Sequence, residues 1–179
     1  MKKKRRSYLL QALLVIILVF IDQITKFWAK TALPGNPISL IPGVLKLQYH
    51  ENTGALFGIM SNNSLLLGFV SLLSLLLIIA LYKKTPLDKK YNILRFIWIL
   101  LLSGGIGNII DRFTHRYVID FIYFELIDFP IFNVADSYVT ISVALIIISL
   151  IYHRKDGYYD FLEDKADEGK DNSNHEEKS

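Results

Sequence analysis

The chain of 179 residues contains no cysteine and only four histidines. Without cysteine it can form no disulfide framework and no thiolate metal site, and it has no thiol nucleophile. The histidines, at positions 50, 115, 153 and 175, do not pair at a helical metal-ligand spacing such as His-Glu-x-x-His. Zinc protease chemistry is therefore not expected, and the sequence predicts no metal and no other cofactor.

Charge is also scarce in four long stretches, whereas 52% of all residues are hydrophobic and the mean hydropathy is +0.34. Apolar stretches of about 20 residues are long enough to cross a bilayer as helices. The expected spans are approximately residues 8–28, 64–82, 93–110 and 134–152. The sequence therefore predicts an all-α membrane protein with four transmembrane helices.

Lysine and arginine concentrate before the first span, between the second and third, and after the fourth. Because cytoplasmic loops carry the excess of positive charge, we expect both termini in the cytoplasm and loops 30–63 and 111–133 outside. The basic start of the first span is also typical of signal peptides, but Asp22-Gln-Ile-Thr-Lys26 is a poor cleavage region and favours a retained anchor. The positive charge suits an anionic leaflet better than nucleic acid.

Two regions differ in composition from the spans. In residues 33–60, Leu45, Leu47 and Tyr49 alternate with polar residues, which predicts a half-buried strand and a small extracytoplasmic β-sheet after the first helix. A turn and a second short apolar piece are expected at 52–58. Residues 156–179 carry nine acidic residues and three lysines, which predicts a cytoplasmic tail that is disordered or weakly helical. Residues 1–155 then form the membrane domain.

Polar side chains gather at the outer end of the third span, where unpaired polar groups are costly. Gly104, Asn108 and Asp111 share one helical face, with Arg112 beside them. A helix-packing seam with an end cap explains the glycines. It does not explain an asparagine, an aspartate and an arginine together, so these three side chains are candidates for a functional site.

Asn133 and Asp136 begin the fourth span, where an N-cap and a first-turn acid stabilise a helix, and alone that structural interpretation is the stronger one. Asp120 lies in an apolar outer run, where an isolated acid is most often a surface group. However, spans three and four are joined outside, so Asp120 and Asp136 can come within reach of one water. Two close carboxylates share a proton and act as acid and base, which would activate water for attack on a peptide carbonyl. Nearby amides and Arg112 could orient the pair or the substrate.

Asp22 and Lys26 lie near the end of the first span. Their i, i+4 spacing with the acid first favours an ion pair within the helix. We therefore interpret these two residues as structural.

Five motifs in order make the chain resemble the bacterial lipoprotein signal peptidases, also called signal peptidase II. They are Asp22-Gln-x-Thr-Lys26, Asn52-Thr-Gly-Ala-x-Phe-Gly58, Gly104-Gly-x-x-Gly-Asn-x-x-Asp-Arg112, Val118-x-Asp-Phe121 and Phe132-Asn-Val-Ala-Asp136. The resemblance covers about residues 8–152 and leaves out the acidic tail. It implies an aspartic endopeptidase of the bacterial cell membrane that removes the signal peptide of prolipoproteins, cutting before a cysteine that bears a diacylglyceryl group.

The same resemblance assigns expected roles to individual residues. Asp120 and Asp136 match the catalytic pair, and the outer sheet resembles the family's substrate cradle. The implied partners are diacylglyceryl-modified prolipoproteins and membrane lipids, and we expect a monomer with its active site near the outer face. The positions matching substrate-binding or site-supporting residues are Asn52, Gly54, Asn108, Asp111, Arg112, Asn133, Asp22 and Lys26.

Two other function classes fit the sequence less well. A small transporter or proton channel also has membrane carboxylates, but these usually lie near the midplane along a pathway. Here the acids gather at the outer ends, and the middles of spans two and four are plain hydrocarbon. A non-catalytic adaptor needs no pair of acids at neighbouring helix ends. Among aspartic proteases, Asp136-Ser-Tyr lacks the Asp-Thr/Ser-Gly of pepsin-like enzymes.

Overall fold

The computed structural model describes residues 2–54 and 63–162. Its four long helices are α1 (Lys2–Ala32), α2 (Ser64–Lys84), α3 (Asn92–His115) and α4 (Val134–Tyr152). Each is long and apolar enough to cross a membrane, which confirms the expected all-α fold with four spans. In the most apolar window of α3, 61% of the residues are buried, against 17% or less in the other three helices. Helix α3 is therefore the centre of the bundle.

A small antiparallel sheet lies at one end of the bundle. Its strands are β1 (Ile38–Ile41), β2 (Leu45–Asn52) and β3 (Val118–Phe124), in the order β1-β2-β3. The expected strand after the first helix is therefore present as β2. The register pairs His50 with Asp120 and Asn52 with Val118, so the end of β2 lies beside the first half of β3. The sheet thereby joins the two loops expected on the outside.

Apolar contacts fix this sheet onto the end of α1. Ala29 and Leu33 of α1 form one buried cluster with Ile119 and Phe121 of β3. Burying a leucine, isoleucine or phenylalanine side chain contributes roughly 1.5–3 kcal/mol. Because Ile119 and Phe121 flank Asp120 in sequence, this cluster also fixes the backbone on which Asp120 sits.

Two sequence expectations differ from the observed fold. The sheet was expected from residues 33–60 alone, but its third strand comes from the second outer loop, because Val118–Phe124 finds its hydrogen-bonding partner in β2. Helix α3 continues beyond the expected end at residue 110, because the side chain of Asp111 is bonded to other elements and the helix need not end at the apolar boundary. The apolar piece expected at 55–58 lies outside the described residues.

The start of the acidic tail is also folded. A short segment, Gly157–Leu162, which we term the aromatic hook, contains a 3-10 turn at Asp160–Leu162. Tyr158 is 5% exposed, contacts Tyr91 with ring centroids 4.9 Å apart, and donates a hydrogen bond to the carbonyl of Lys90. Of the two alternatives expected for the tail, disorder or weak helix, residues 156–162 follow the second, because these aromatic rings have a buried partner surface. Residues 163–179 lie outside the described part of the chain.

Candidate active site

The two candidate catalytic acids lie on neighbouring elements. Asp120 is in the middle of β3 and is only 1% exposed, and Asp136 is in the first turn of α4. Asp120 is therefore not the surface group that an isolated acid in an apolar run would be. Asp136 lies on the wall of a cleft that Asp120 also lines.

The side chain of Asn133 connects the two acids. Its Nδ2 donates to Oδ1 of Asp120 at 2.7 Å and to Oδ1 of Asn108 at 3.2 Å. Its Oδ1 accepts the peptide N–H of Asp136 at 2.9 Å, and Oδ2 of Asp136 accepts the N–H of Asn133 at 3.1 Å. This reciprocal pair is the expected capping box, so Asp136 does stabilise the start of α4.

The remaining oxygen atoms of the two acids are held by amides from other elements. Asn108 of α3 donates from Nδ2 to Oδ1 of Asp136 at 2.7 Å. Asn52 at the end of β2 donates from Nδ2 to Oδ2 of Asp120 at 2.9 Å, and its own Oδ1 accepts the N–H of Gly54 at 3.0 Å. The capping role therefore does not account for Asp136 fully, since its second oxygen is bonded to a different helix.

Electrostatics favour a proton on Asp120 near neutral pH. Burial, and to a smaller extent the charge of Asp136, raise the pKa of Asp120 from 3.8 to about 7. Hydrogen bonds from Asn52 and Asn133 and the charge of Lys26 act in the opposite sense but are smaller. A carboxyl group that can gain or lose a proton near pH 7 is suited to acid–base chemistry.

Both acids open onto a cleft of about 1280 Å³ between the sheet and the ends of α3 and α4. Arg112 lines this cleft, and within the described residues its buried Nε has no hydrogen-bond partner. A buried donor without a partner is costly, so it is available to a carbonyl or carboxylate of a bound molecule. Part of the cleft wall is apolar and includes Phe124, Ile127, Phe129, Phe132, Val139 and Ile141.

Asp22, Lys26 and Asp111 form a buried ion cluster behind the cleft. Lys26 is 1% exposed, and its Nζ lies 2.9 Å from Oδ2 of Asp22 and 3.0 Å from Oδ2 of Asp111. The ion pair expected from the Asp22 and Lys26 spacing is therefore present. Lys26 also donates to Oδ1 of Asn108 at 2.9 Å, which connects the cluster to the amide that holds Asp136.

Two glycines allow these elements to approach one another. A Cβ on Gly104 would lie 2.6 Å from the carbonyl oxygen of Ala135, and one on Gly107 would collide with Oδ2 of Asp22. The packing seam expected from the glycine spacing therefore exists beside the polar groups, on the side of α3 that faces α1 and α4. It holds the polar side chains of three helices within hydrogen-bonding distance.

The structure brings together all the residues singled out from the sequence, in two connected groups. Asn52, Gly54, Asn108, Arg112, Asp120 and Asp136 line the cleft, whereas Asp22, Lys26, Asp111 and Asn133 stand behind it or between its walls. Sequence reasoning assigned no role to Gln23 of the first motif, whose Nε2 lies 3.1 Å from both Asp22 Oδ2 and Asp111 Oδ1. The sequence feature that could have identified it is a second polar residue beside Asp22 within an apolar span.

Comparisons with known proteins agree with this geometry. The family described as "Signal peptidase (SPase) II" matches residues 14–152. A lipoprotein signal peptidase of Streptococcus pyogenes serotype M6 is 40% identical over 149 residues, covering 82% of this chain and 94% of that protein. The lipoprotein signal peptidase of Clostridium tetani is 37% identical over 158 residues, covering 84% and 97%.

Solved structures share the fold as well. One, described as a bacterial membrane enzyme determined by the in meso method, superposes with a TM-score of 0.71 at 32% identity and covers 81% of this chain and 89% of that chain. A second of the same description has a TM-score of 0.68 at 34% identity, with coverages of 79% and 92%. The chain is thus a multi-pass membrane protein. Since the family match runs from within α1 to the end of α4 and contains every residue of the site, this chain belongs to the signal peptidase II family of membrane proteases.

Proposed function

We propose that this protein is an aspartic endopeptidase that removes the signal peptide from diacylglyceryl-modified prolipoproteins, cutting before the lipid-bearing cysteine. The proposal is supported by the names of its relatives and by one observation above others. A buried carboxyl, Asp120, has a pKa of about 7 and lies with the carboxylate of Asp136 on one cleft. Two acids that together hold one proton can activate water without a covalent intermediate.

In the proposed reaction Asp120 carries the shared proton and Asp136 is the base. Asp136 takes a proton from water as the water oxygen bonds to the scissile carbonyl carbon, and Asp120 gives its proton to the carbonyl oxygen. The resulting diol collapses as Asp136 protonates the departing amino group of the cysteine. In the same step a hydroxyl proton of the diol returns to Asp120, which restores the starting state.

Other cleft residues have complementary roles in this proposal. The free Nε of Arg112 can donate to a substrate carbonyl beside the scissile bond. The apolar wall that includes Phe124 and Phe129 suits the hydrophobic part of a signal peptide or acyl chains. Burying acyl carbon contributes about 0.8 kcal/mol per methylene, so lipid on the substrate would hold the scissile bond at the acids.

The proposal includes an orientation and an assembly state. Both termini are cytoplasmic, as the loop charges indicate, and the cleft therefore opens at the outer face of the bacterial cell membrane. The protein acts as a monomer, because one chain supplies both acids and the amides that hold them. It requires no metal ion.

The test uses purified protein in detergent with a diacylglyceryl-modified prolipoprotein, scored for release of the signal peptide. We expect Asp120→Asn and Asp136→Asn each to abolish cleavage, because neither can complete the proton exchange with water. Asp88→Asn is the matched control, since Asp88 is exposed in the α2–α3 connection, and should keep full turnover. Near-normal turnover by either dyad variant, with correct folding, would contradict the proposal.

A further inference from the structure

The buried ion cluster is bonded to the backbone at two informative positions. Oδ1 of Asp22 accepts the peptide N–H of Ala135 at 2.9 Å. Oδ2 of Asp111 accepts the peptide N–H of Ile119 at 3.1 Å. Ala135 directly precedes Asp136, and Ile119 directly precedes Asp120. For each member of the proposed dyad, the backbone N–H of the residue before it is thus held by a carboxylate from another element.

The ammonium group of Lys26 joins the two carboxylates that hold these backbone N–H groups. Lys26 Nζ contacts both carboxylates, and its third contact is Oδ1 of Asn108, so its three protons all have acceptors. The amide of Gln23 lies between the same two carboxylates. The path from one dyad backbone to the other therefore runs through Asp22, Lys26 and Asp111 and consists entirely of short polar contacts.

We propose that Asp22, Lys26 and Asp111 form a clamp that sets the separation of the two dyad acids by holding the backbone N–H of the residue before each of them. This inference rests on the proposed function, because it assigns the cluster a task in that reaction. The three are positioning residues, since none of them lines the cleft in the described part of the chain. They act on the reaction only through Asp120, Asp136 and Asn108.

Charge balance explains why a lysine is needed at this point. The two carboxylates are fully buried, and without a cation they would repel each other in a medium that screens charge poorly. Loss of Lys26 would therefore move α1 and α3 locally, and the two anchored peptides with them. Because attack by water requires both acids at fixed distances, a displacement of about 1 Å can lower the rate by about 100-fold.

The experiment compares kcat and KM for lipid-modified prolipoprotein at a temperature below the unfolding of every variant. For Lys26→Met we expect kcat to fall on the order of 100-fold, with KM changed by less than about threefold, because the cleft lining is intact. Asp111→Asn leaves the cluster without a net charge and keeps the ion pair of Lys26 with Asp22, so it disturbs folding less than Lys26→Met. It should lower kcat by roughly tenfold, because the backbone before Asp120 is then held less firmly.

Two further variants separate positioning from stability. Thr85→Val removes the acceptor of the Trp98 Nε1 hydrogen bond of 3.0 Å at the other end of α3, so it costs stability far from the clamp and should keep kcat. The double variant of Asp22→Asn and Lys26→Met should lose no more kcat than Lys26→Met alone, because residues that act as one unit are not additive.

The outcomes discriminate between the inference and the function on which it rests. A folded Lys26→Met or Asp111→Asn protein with kcat within about threefold of wild type overturns the clamp, as does an equal loss of kcat in Thr85→Val. If the double variant loses clearly more kcat than Lys26→Met alone, the three residues do not act as one unit and the clamp is also refuted. Failure of the proposed function is a different result, namely turnover by Asp120→Asn or Asp136→Asn.

Discussion

The buried position of Asp120 predicts an unusual response of stability to pH, which Asp120→Asn isolates. In the folded protein the pKa of Asp120 is about 7, against 3.8 for an ordinary aspartate. Between these values the folded state binds a proton that the unfolded state has lost. The free energy of unfolding of the wild type therefore falls as pH rises from about 4 to about 7, and this contribution is constant above that range.

The size of the effect follows from the same two values. At about 1.36 kcal/mol per pH unit, the difference corresponds to about 4 kcal/mol as an upper bound. Asparagine at 120 does not titrate, so this penalty is absent from the variant. The variant has its own cost, because Asn52 and Asn133 both donate to Asp120 and one of them would face the new amide group. That loss is about 1–3 kcal/mol and does not depend on pH.

The two contributions together predict that the stability curves of the variant and the wild type cross as pH rises. Asp120→Asn should be less stable than wild type at pH 4.5 and as stable or more stable at pH 8. Denaturant unfolding in detergent micelles, followed by tryptophan fluorescence, measures the difference in stability between the variant and the wild type. Trp28 is a local reporter because its ring packs edge-on against that of Phe121, with the ring centroids 6.4 Å apart. The exposed control Asp88→Asn keeps Asp120, so its stability should fall with rising pH as that of the wild type does. A difference between Asp120→Asn and wild type that is constant from pH 4.5 to 8.5 would refute the reasoning.

Three further outcomes follow from the packing, the loop charges and the cleft. Gly104→Ala should destabilise the protein by about 1–3 kcal/mol, whereas Gly105→Ala, whose Cβ would meet only Leu75 Cδ1 at 3.5 Å, should be tolerated; equal unfolding curves would contradict this. With no native cysteine, Asn63→Cys should react with an impermeant thiol reagent in intact cells and Lys89→Cys should not, and the reverse pattern would invert the orientation. Cleavage should be insensitive to chelators and much slower for an unlipidated precursor; equal rates for the two precursors would count against lipid-assisted binding.

The four helices could be predicted from the sequence because span length and hydropathy are local properties. The N-cap at Asn133 and the ion pair of Asp22 with Lys26 were predictable for the same reason, since both depend on spacings of three or four residues. Strand β3 was not, because its pairing with β2 joins segments about 70 residues apart, and no local pattern encodes a partner at that distance.

The candidate site shows the same division. The residues that gather around the cleft could be named from the motifs, and their catalytic and supporting roles stay predictions. Their connections could not be named, because the contact of Lys26 with Asp111 and the hold of Asp22 on the Ala135 peptide depend on how α1, α3 and α4 pack. The aromatic hook could not be predicted from composition, since the acidic residues around Tyr158 dominate that part of the sequence.

The aromatic hook has a practical consequence for work with this protein. The family match ends at residue 152, yet Tyr158 beyond that point belongs to one buried apolar cluster with Tyr91, Leu94 and Trp98. A truncation or fusion junction placed at the family boundary would uncover this apolar surface beside the α2–α3 connection and invite self-association during purification. A minimal expression boundary for this chain should therefore follow Leu162, with any affinity tag attached beyond it.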